Sequence, residues 1–386
     1  MLALPPELLD AIVVLVDDLE SLKSCSLVAS TLRYTSQRIL IRSLTVQAKN
    51  YVQVGQLLIE SPHIADYITH LSLKLHDLAS LDIDTLHQVL AKLQNLRLCF
   101  LNGMWHSSPR SSALRRSTIP PLVSDFLARQ PPRALYLMAI TISPALLWRF
   151  AAAVPTLHVY SVVIEEEPDP TVARAAVSNS VLESLFLNSR HVGEFFARPQ
   201  NISCVAGLRH LSAAGPFDDW APALIEAASR TLEHIQFDCT YDPSPPLLQR
   251  LPALRTVQFT FSGQITTETR AEYISHATPT LSSLATPEMS PALADVVIKQ
   301  QFTSRVGADD AVPYVPLMKM LDAALRAYAA APCIRWILAT RNEESRYAGF
   351  ADSVRRGMPE AHGAGRLVLE VHVLSSKRFK KKAFRI

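Results

Sequence analysis

His70 and His76 stand six residues apart, and in an extended strand that spacing puts both imidazoles on one face, where a metal site would begin. No cysteine or carboxylate at metal-ligand spacing completes the set, so the pair reads as ordinary surface or hydrogen-bonded histidines. The run Glu165-Glu166-Glu167-Pro168-Asp169 is rich in carboxylates. General acid–base work needs two carboxyls opposed across a cleft, however, and neighbours on one loop do not oppose each other. His362-Gly363-Ala364-Gly365 holds a GxG without a third glycine and without a strand-then-turn pattern before it, so no dinucleotide loop is expected there. GxSxG, P-loop and HExxH motifs are absent from the sequence. The five cysteines, Cys25, Cys99, Cys204, Cys239 and Cys333, are scattered, odd in number and without a CxxC pair. Reduced, mostly buried thiols follow, with Cys99 and Cys239 as small apolar residues on or near strands. These residues predict a protein that binds rather than catalyses, with no metal and no cofactor.

Composition agrees with an ordered binding protein. The 386 residues are 48% apolar and 19% charged, a balance that favours a large core over disorder. A net charge of +3 is too small to point to nucleic acid. Ile12-Val13-Val14-Leu15-Val16 is short, flanked by acids and preceded by no basic segment, so a secretory signal is not expected. The apolar stretch from Leu135 to Ile164 is broken by Pro144, Arg149 and Pro155, which makes it poor material for a membrane span. The expected location is the cytoplasm or nucleus.

A short pattern, apolar-x-x-apolar-x-apolar, returns along the chain and ends each time in the period-two alternation of a half-buried strand. It is found at Ile68/Leu71/Leu73, Leu93/Leu96/Leu98, Leu157/Tyr160/Val162, Leu182/Leu185/Leu187, Leu208/Leu211/Ala213, Leu232/Ile235/Phe237 and Leu254/Val257/Phe259, with a degenerate copy at Leu135/Leu137. The middle positions 71, 96, 135, 160, 185, 211, 235 and 257 are 25, 39, 25, 25, 26, 24 and 22 residues apart. Helical stripes lie between them. Leu86, Val89, Leu90 and Leu93 form one, and Ser143-Pro144 supplies a cap and a first-turn proline to Leu147, Phe150, Ala151 and Val154. Ala221-Pro222 precedes a third, with Leu224, Ile225 and Ala228. The expected class is α/β, with strand and helix repeating near the period of leucine-rich repeats. A doubly wound α/β domain is the alternative. The 39-residue interval holds an insertion, 105–121, read as a loop, and the last residues, 377–386, form a basic tail.

Before the first repeat comes a segment of a different kind. Pro5-Pro6 and Glu7 suit a helix start. Leu8, Ile12 and Leu15, and also Leu9, Val13 and Val16, recur at helical spacing, so this helix is apolar on more than one face. Asp17-Asp18 ends it. A second helix carries Leu22, Cys25 and Val28, and a third, after Ser30, carries Leu32, Ile39 and Leu40. The series Leu4-Pro5-x-Glu7-Leu8-Leu9-x-x-Ile12, Leu22, Cys25-Ser26-Leu27-Val28 and Arg38-x-Leu40-x-Arg42-Ser43 resembles an F-box, although Leu32-Arg33-Tyr34 stands where many F-boxes carry tryptophan. With Ser61-Pro62-His63-Ile64 and Leu71-Ser72-Leu73, residues 4–260 are similar to F-box proteins with irregular leucine-rich repeats of the kind found in mushroom-forming fungi. His76, Leu101, Arg190 and Thr240 occupy positions where the strict repeat has Asn or Cys.

The resemblance implies an N-terminal three-helix F-box (1–47), an irregular leucine-rich-repeat solenoid (48–270), degenerate closing repeats with a cap (271–376) and the tail (377–386). It implies the substrate receptor of an SCF-type ubiquitin ligase, whose partners are a Skp-type adaptor, a cullin and a target protein not named by the sequence. The rival reading is a repeat scaffold outside any ligase, its N-terminal helices only a cap. Leu4, Pro5, Leu8, Ile12, Leu22, Cys25, Leu27 and Val28 are expected either to face the adaptor or to set the core of the F-box. For the target, the expected open strand face carries Ser72, Lys74, Arg97, Tyr136, Ser184, Phe186, Arg209, His234, Gln236 and Gln258. Lys74, Arg97, Tyr136, Phe186, Arg209 and Gln236 are the chosen contacts. That mixture suits a protein or peptide better than nucleic acid, which needs a continuous basic stripe.

Overall fold

The computed structural model describes residues 4–78, 82–103, 117–165, 180–215, 217, 220–239, 249–262, 277–302, 315–328, 332–340 and 347–373. Most of the insertion, the acidic run beyond Glu165 and the basic tail lie outside these residues. The fold is mixed α/β, and its contacts divide the chain into two units, Met1–Arg174 and Ala175–Phe384.

The first unit opens with three short helices, α1 (Pro6–Val14), α2 (Leu19–Val28) and α3 (Ser30–Leu40). A proline in the first turn and Glu7 start α1. Asp18 caps α2 by accepting the Ser21 N–H at 2.7 Å, so the Asp17-Asp18 pair ends one helix and begins the next. Both α1 and α2 pack on α3. The Thr35 hydroxyl donates to the Asp10 carboxylate, which ties α3 to α1. Val13 and Leu22 are the buried apolar side chains of the bundle.

Strand and helix then alternate. The strands are β1 (Ser43–Val46), β2 (His70–Lys74), β3 (Leu98–Asn102), β4 (Ser117–Thr118), β5 (Ala134–Met138), β6 (Ile140–Ile142), β7 (Thr156–Tyr160) and β8 (Val163–Ile164). The main sheet runs β1-β2-β3-β5-β7, parallel throughout, and β4-β6-β8 form a small parallel sheet beside it. Leu44, Leu71, Cys99, Leu135 and Leu157 are aligned in register, at steps of 27, 28, 36 and 22 residues. Two sequence anchors therefore shift: Cys99 replaces Leu96, and Leu157 replaces Tyr160. Leu135/Leu137 is a regular member of the row. Helices α4 (Tyr51–Glu60), α7 (Ile83–Lys92), α8 (Pro121–Arg129) and α9 (Pro144–Ala153) pack side by side in that order; α5 (His63–Tyr67) and α6 (Leu75–Leu78) are single turns at either end of β2. Ser143 caps α9 as expected, accepting the Leu146 N–H at 3.3 Å.

The strands of the two sheets join through kinks. Ala139 (φ 52°) links β5 to β6, and Ser161 (φ 53°) lies between β7 and β8. Gly103, after β3, donates its N–H to Met138 O at 2.9 Å, and a Cβ there would stand 2.6 Å from Ala139 O. Only glycine permits that approach.

The second unit contains β9 (Ser184–Asn188), β10 (His210–Ala214), β11 (His234–Asp238), β12 (Thr256–Ser262), β13 (Asp295–Phe302), β14 (Cys333–Thr340) and β15 (Leu367–Val373), all parallel and paired in that order. Its helices include α10 (Arg190–Ala197), α11 (Trp220–Ala227), and the later helices Val315–Ala324, Tyr347–Gly357 and Pro359–Gly363. Leu185, Leu211, Ile235, Val257, Val296, Ile334 and Leu367 share one register position. The region expected to be closing repeats and a cap thus continues the same parallel sheet and includes its longest strands, β13 and β14. Leu281 and Leu284 lie in a helix over 277–284 and are fully buried.

Along β2, β3, β5, β10 and β11, buried and partly exposed side chains alternate. The buried rows include Leu71, Leu73, Leu135, Leu137, Ile235 and Phe237. A doubly wound sheet buries both faces, so these strands do not follow that alternative.

Candidate functional site

Two kinds of surface stand out, and the first is the N-terminal bundle. Leu4, Leu8 and Ile12 are each more than half exposed, and Leu15, Leu27 and Val28 are 80% exposed. Pro5 is exposed as well, and Cys25 is partly exposed. Among the eight expected adaptor or core residues, Leu22 alone is core, at 4% exposure. Helical periodicity did not separate these roles, because α1 is apolar on more than one face while only Val13 is buried. The bundle joins the rest of its unit through α3, which meets α5 with the Tyr34 and Tyr67 rings edge to face at 5.4 Å.

The second surface is the partly exposed sheet face, one in each unit. In the first unit, register places Ser72, Phe100, Tyr136 and His158 in one row and Lys74, Asn102, Met138 and Tyr160 in the next. The rings of Phe100, Tyr136, His158 and Tyr160 follow one another in contact across β3, β5 and β7. Burial pushes the Tyr136 and Tyr160 phenols up and the His158 imidazole down to about 4. His70, on β2, is held low first by burial and then by the Arg42 and Arg97 charges. Lys74 is the one lysine or arginine in these rows. The face is aromatic and nearly neutral.

In the second unit, Phe186, Ser212, Gln236 and Gln258 form one row, and Ser184, His210, His234 and Thr256 another. The His210 and His234 rings stack at 4.5 Å and 3°, and the Ser184 hydroxyl lies 3.2 Å from His210 Nδ1. Burial, then the neighbouring His234, lowers the His210 pKa.

Of the expected target contacts, Lys74, Tyr136, Phe186 and Gln236 lie on these faces, as do Ser72, Ser184, His234 and Gln258. Arg97 and Arg209 do not. Each stands one residue before its strand, in step with the buried side chains rather than the open ones, and so belongs to the rim at the strand starts. Arg209 donates to the Glu233 carboxylate at 2.5 and 2.9 Å, which holds the Glu233 carboxyl below its ordinary range. Phe100, His158, Met138, Tyr160, His210 and Ser212 were missing from the expected set. Strict alternation outward from Cys99, Leu137 and Leu157 locates the first-unit residues; anchors at Leu96 and Tyr160 hide those on β3 and β7.

His76 falls in α6, after the chain has left β2 at Lys74, so it does not share a strand face with His70. Among the described residues no group of three or more His, Cys, Asp or Glu is placed to hold a metal. None of the five cysteines forms a disulfide. Burial pushes the Cys99 thiol up, and Cys204 up to about 12, against a nucleophilic role. No helix among the described residues is long and apolar enough to cross a membrane. The chain matches no known protein-family model and no curated protein sequence.

Proposed function

We propose that this chain is the substrate-recognition subunit of an SCF-type ubiquitin ligase. The three-helix bundle docks a Skp-type adaptor, and through it a cullin, while the open strand faces hold a target protein. In this reading the chain changes no bond itself and works in the cytoplasm or nucleus.

One observation carries the proposal. Leu4, Leu8, Ile12, Leu15, Leu27 and Val28 lie exposed on a bundle of only 37 residues, Leu4–Leu40, and so many exposed apolar side chains on a small module mark an interaction surface. A bundle that served only to cap the repeat region would turn such side chains inward. The F-box-like series of residues supplies the identity of the partner, and the aromatic and polar rows suit a polypeptide target.

The test is recovery of partners by the tagged full chain from cells. The adaptor and cullin are expected with the native chain and not with Leu8→Asp/Ile12→Asp. Recovery of neither by folded, soluble native protein rejects the ligase reading.

A further inference from the structure

The position one residue before each strand is structurally equivalent along both sheets, because its carbonyl accepts the N–H that opens the next strand. In the first unit Thr69 and His70 donate to Arg42 O, Arg97 and Leu98 to Thr69 O, Ala134 to Arg97 O, and Thr156 to Arg133 O. This rim therefore reads Arg42, Thr69, Arg97, Arg133. All three arginines are exposed, and none has an ion-pair partner among the described residues. Before β9 to β12 in the second unit the same position reads Glu183, Arg209, Glu233, Arg255. There the signs alternate, and Arg209 pairs with Glu233. One rim neutralises itself while the other repeats a single charge.

Arg97 and Arg133 precede adjacent strands, and like charges so placed repel unless an external anion joins them. The fields of the first rim converge: both Arg42 and Arg97 depress the His70 pKa. We infer that the Arg42–Arg97–Arg133 rim binds a short acidic segment of the target protein. Strands lie about 4.8 Å apart, so the row spans about 14 Å. An extended peptide repeats its side chains on one face every 6.7 Å or so, and acids at three alternate positions cover about the same length. Arginine forks suit carboxylates in particular. Three cations fall well short of the roughly 6–10 phosphate contacts a nucleic-acid site uses. The inference rests on the proposed role as a substrate receptor and adds the chemistry of the substrate.

The test uses the full chain and a fluorescein-labelled peptide, Glu-Gly-Glu-Gly-Glu, followed by anisotropy at low salt. Saturable binding is expected, weakened at least tenfold by Arg42→Gln/Arg97→Gln/Arg133→Gln and unchanged by the charge-matched Arg230→Gln/Arg250→Gln/Lys319→Gln. Arg97→Lys/Arg133→Lys serves as a milder variant and should bind with intermediate strength. In NMR titrations the peptide should raise the His70 pKa. Equal weakening by both triple variants, no binding to the native chain, or tighter rim-dependent binding of a single-stranded oligonucleotide each overturns the inference. Adaptor recovery is scored separately on the same variants. Retained adaptor with no peptide binding sinks the rim alone, and peptide binding without adaptor sinks the ligase reading alone.

Discussion

The Tyr136 ring and the His158 imidazole lie face to face on neighbouring strands, 3.8 Å between centroids and 8° from parallel. This contact helps to bring His158 to 8% exposure on an otherwise open face. The rings of this row thus pack on one another within the face, and its imidazole is neutral at physiological pH.

A pH dependence of stability follows. Burial lowers the His158 pKa from 6.5 to about 4, so the unfolded chain takes up a proton that the folded chain refuses. Stability should fall as pH drops from about 6.5 towards 4, with no further loss from this group below that. The full effect is on the order of 3 kcal/mol. His70 and His210 are shifted the same way and add to the slope. Urea unfolding at pH 7, 5.5 and 4.5 measures it, and His158→Phe should flatten the curve. An unchanged slope in that variant would assign the dependence elsewhere.

Adaptor binding should be separable from folding. Pro5 and Leu8 are exposed, so Pro5→Ala/Leu8→Ala should leave the melting temperature unchanged. Adaptor affinity should drop by about 2 kcal/mol, or roughly thirtyfold, as for a central interface anchor. Calorimetry with purified adaptor reads the affinity, and undiminished binding would move the contact to Leu27 and Val28.

Asp322, at 6% exposure, accepts the backbone N–H groups of Ala361 at 2.9 Å and Glu360 at 3.3 Å. The helix Val315–Ala324 thereby caps the short helix Pro359–Gly363. Asp322→Ala strands both donors and should cost about 2–4 kcal/mol. Asp322→Asn keeps one acceptor oxygen and should cost less. Denaturant midpoints rank the two, and equal losses would show that charge rather than acceptance matters.

Gly193 of α10 packs flat against Trp220 of α11, where a Cβ would stand 2.5 Å from the indole. Trp220 is 3% exposed and has little room to retreat. Gly193→Ala should destabilise by about 1–3 kcal/mol and perturb tryptophan fluorescence. A silent substitution would mean that the two helices slide apart cheaply.

The bundle and most strands were legible because their signals are local. The Asp17-Asp18 break, the Ser143-Pro144 start and the alternation around Leu71, Leu185, Leu211 and Ile235 each depend on a few neighbouring residues. Register was harder. Leu98 is apolar on the open face, so Leu93/Leu96/Leu98 imitates a strand in the wrong phase. His158 separates two buried residues yet is itself buried, which moves the apparent anchor towards Tyr160. β13 escaped because Val296, Val297 and Ile298 are all buried and erase the period of two. β4, β6 and β8 are two or three residues long, too short to carry any period. The rim of like charge lay hidden for another reason: its arginines are far apart in sequence, and only the register of the strands makes them neighbours.

Within each unit, main-sheet neighbours follow chain order, with no later strand inserted between earlier ones. Each new pairing closes a loop of one strand–helix step, so the entropy of chain closure is met in modest instalments. Assembly can therefore begin on any adjacent pair and spread. A ribosome-bound second unit could zip from β9 onward as each strand emerges. A break after β13 would forfeit the β13–β14 and β14–β15 ladders and leave those from β9 to β13 in register.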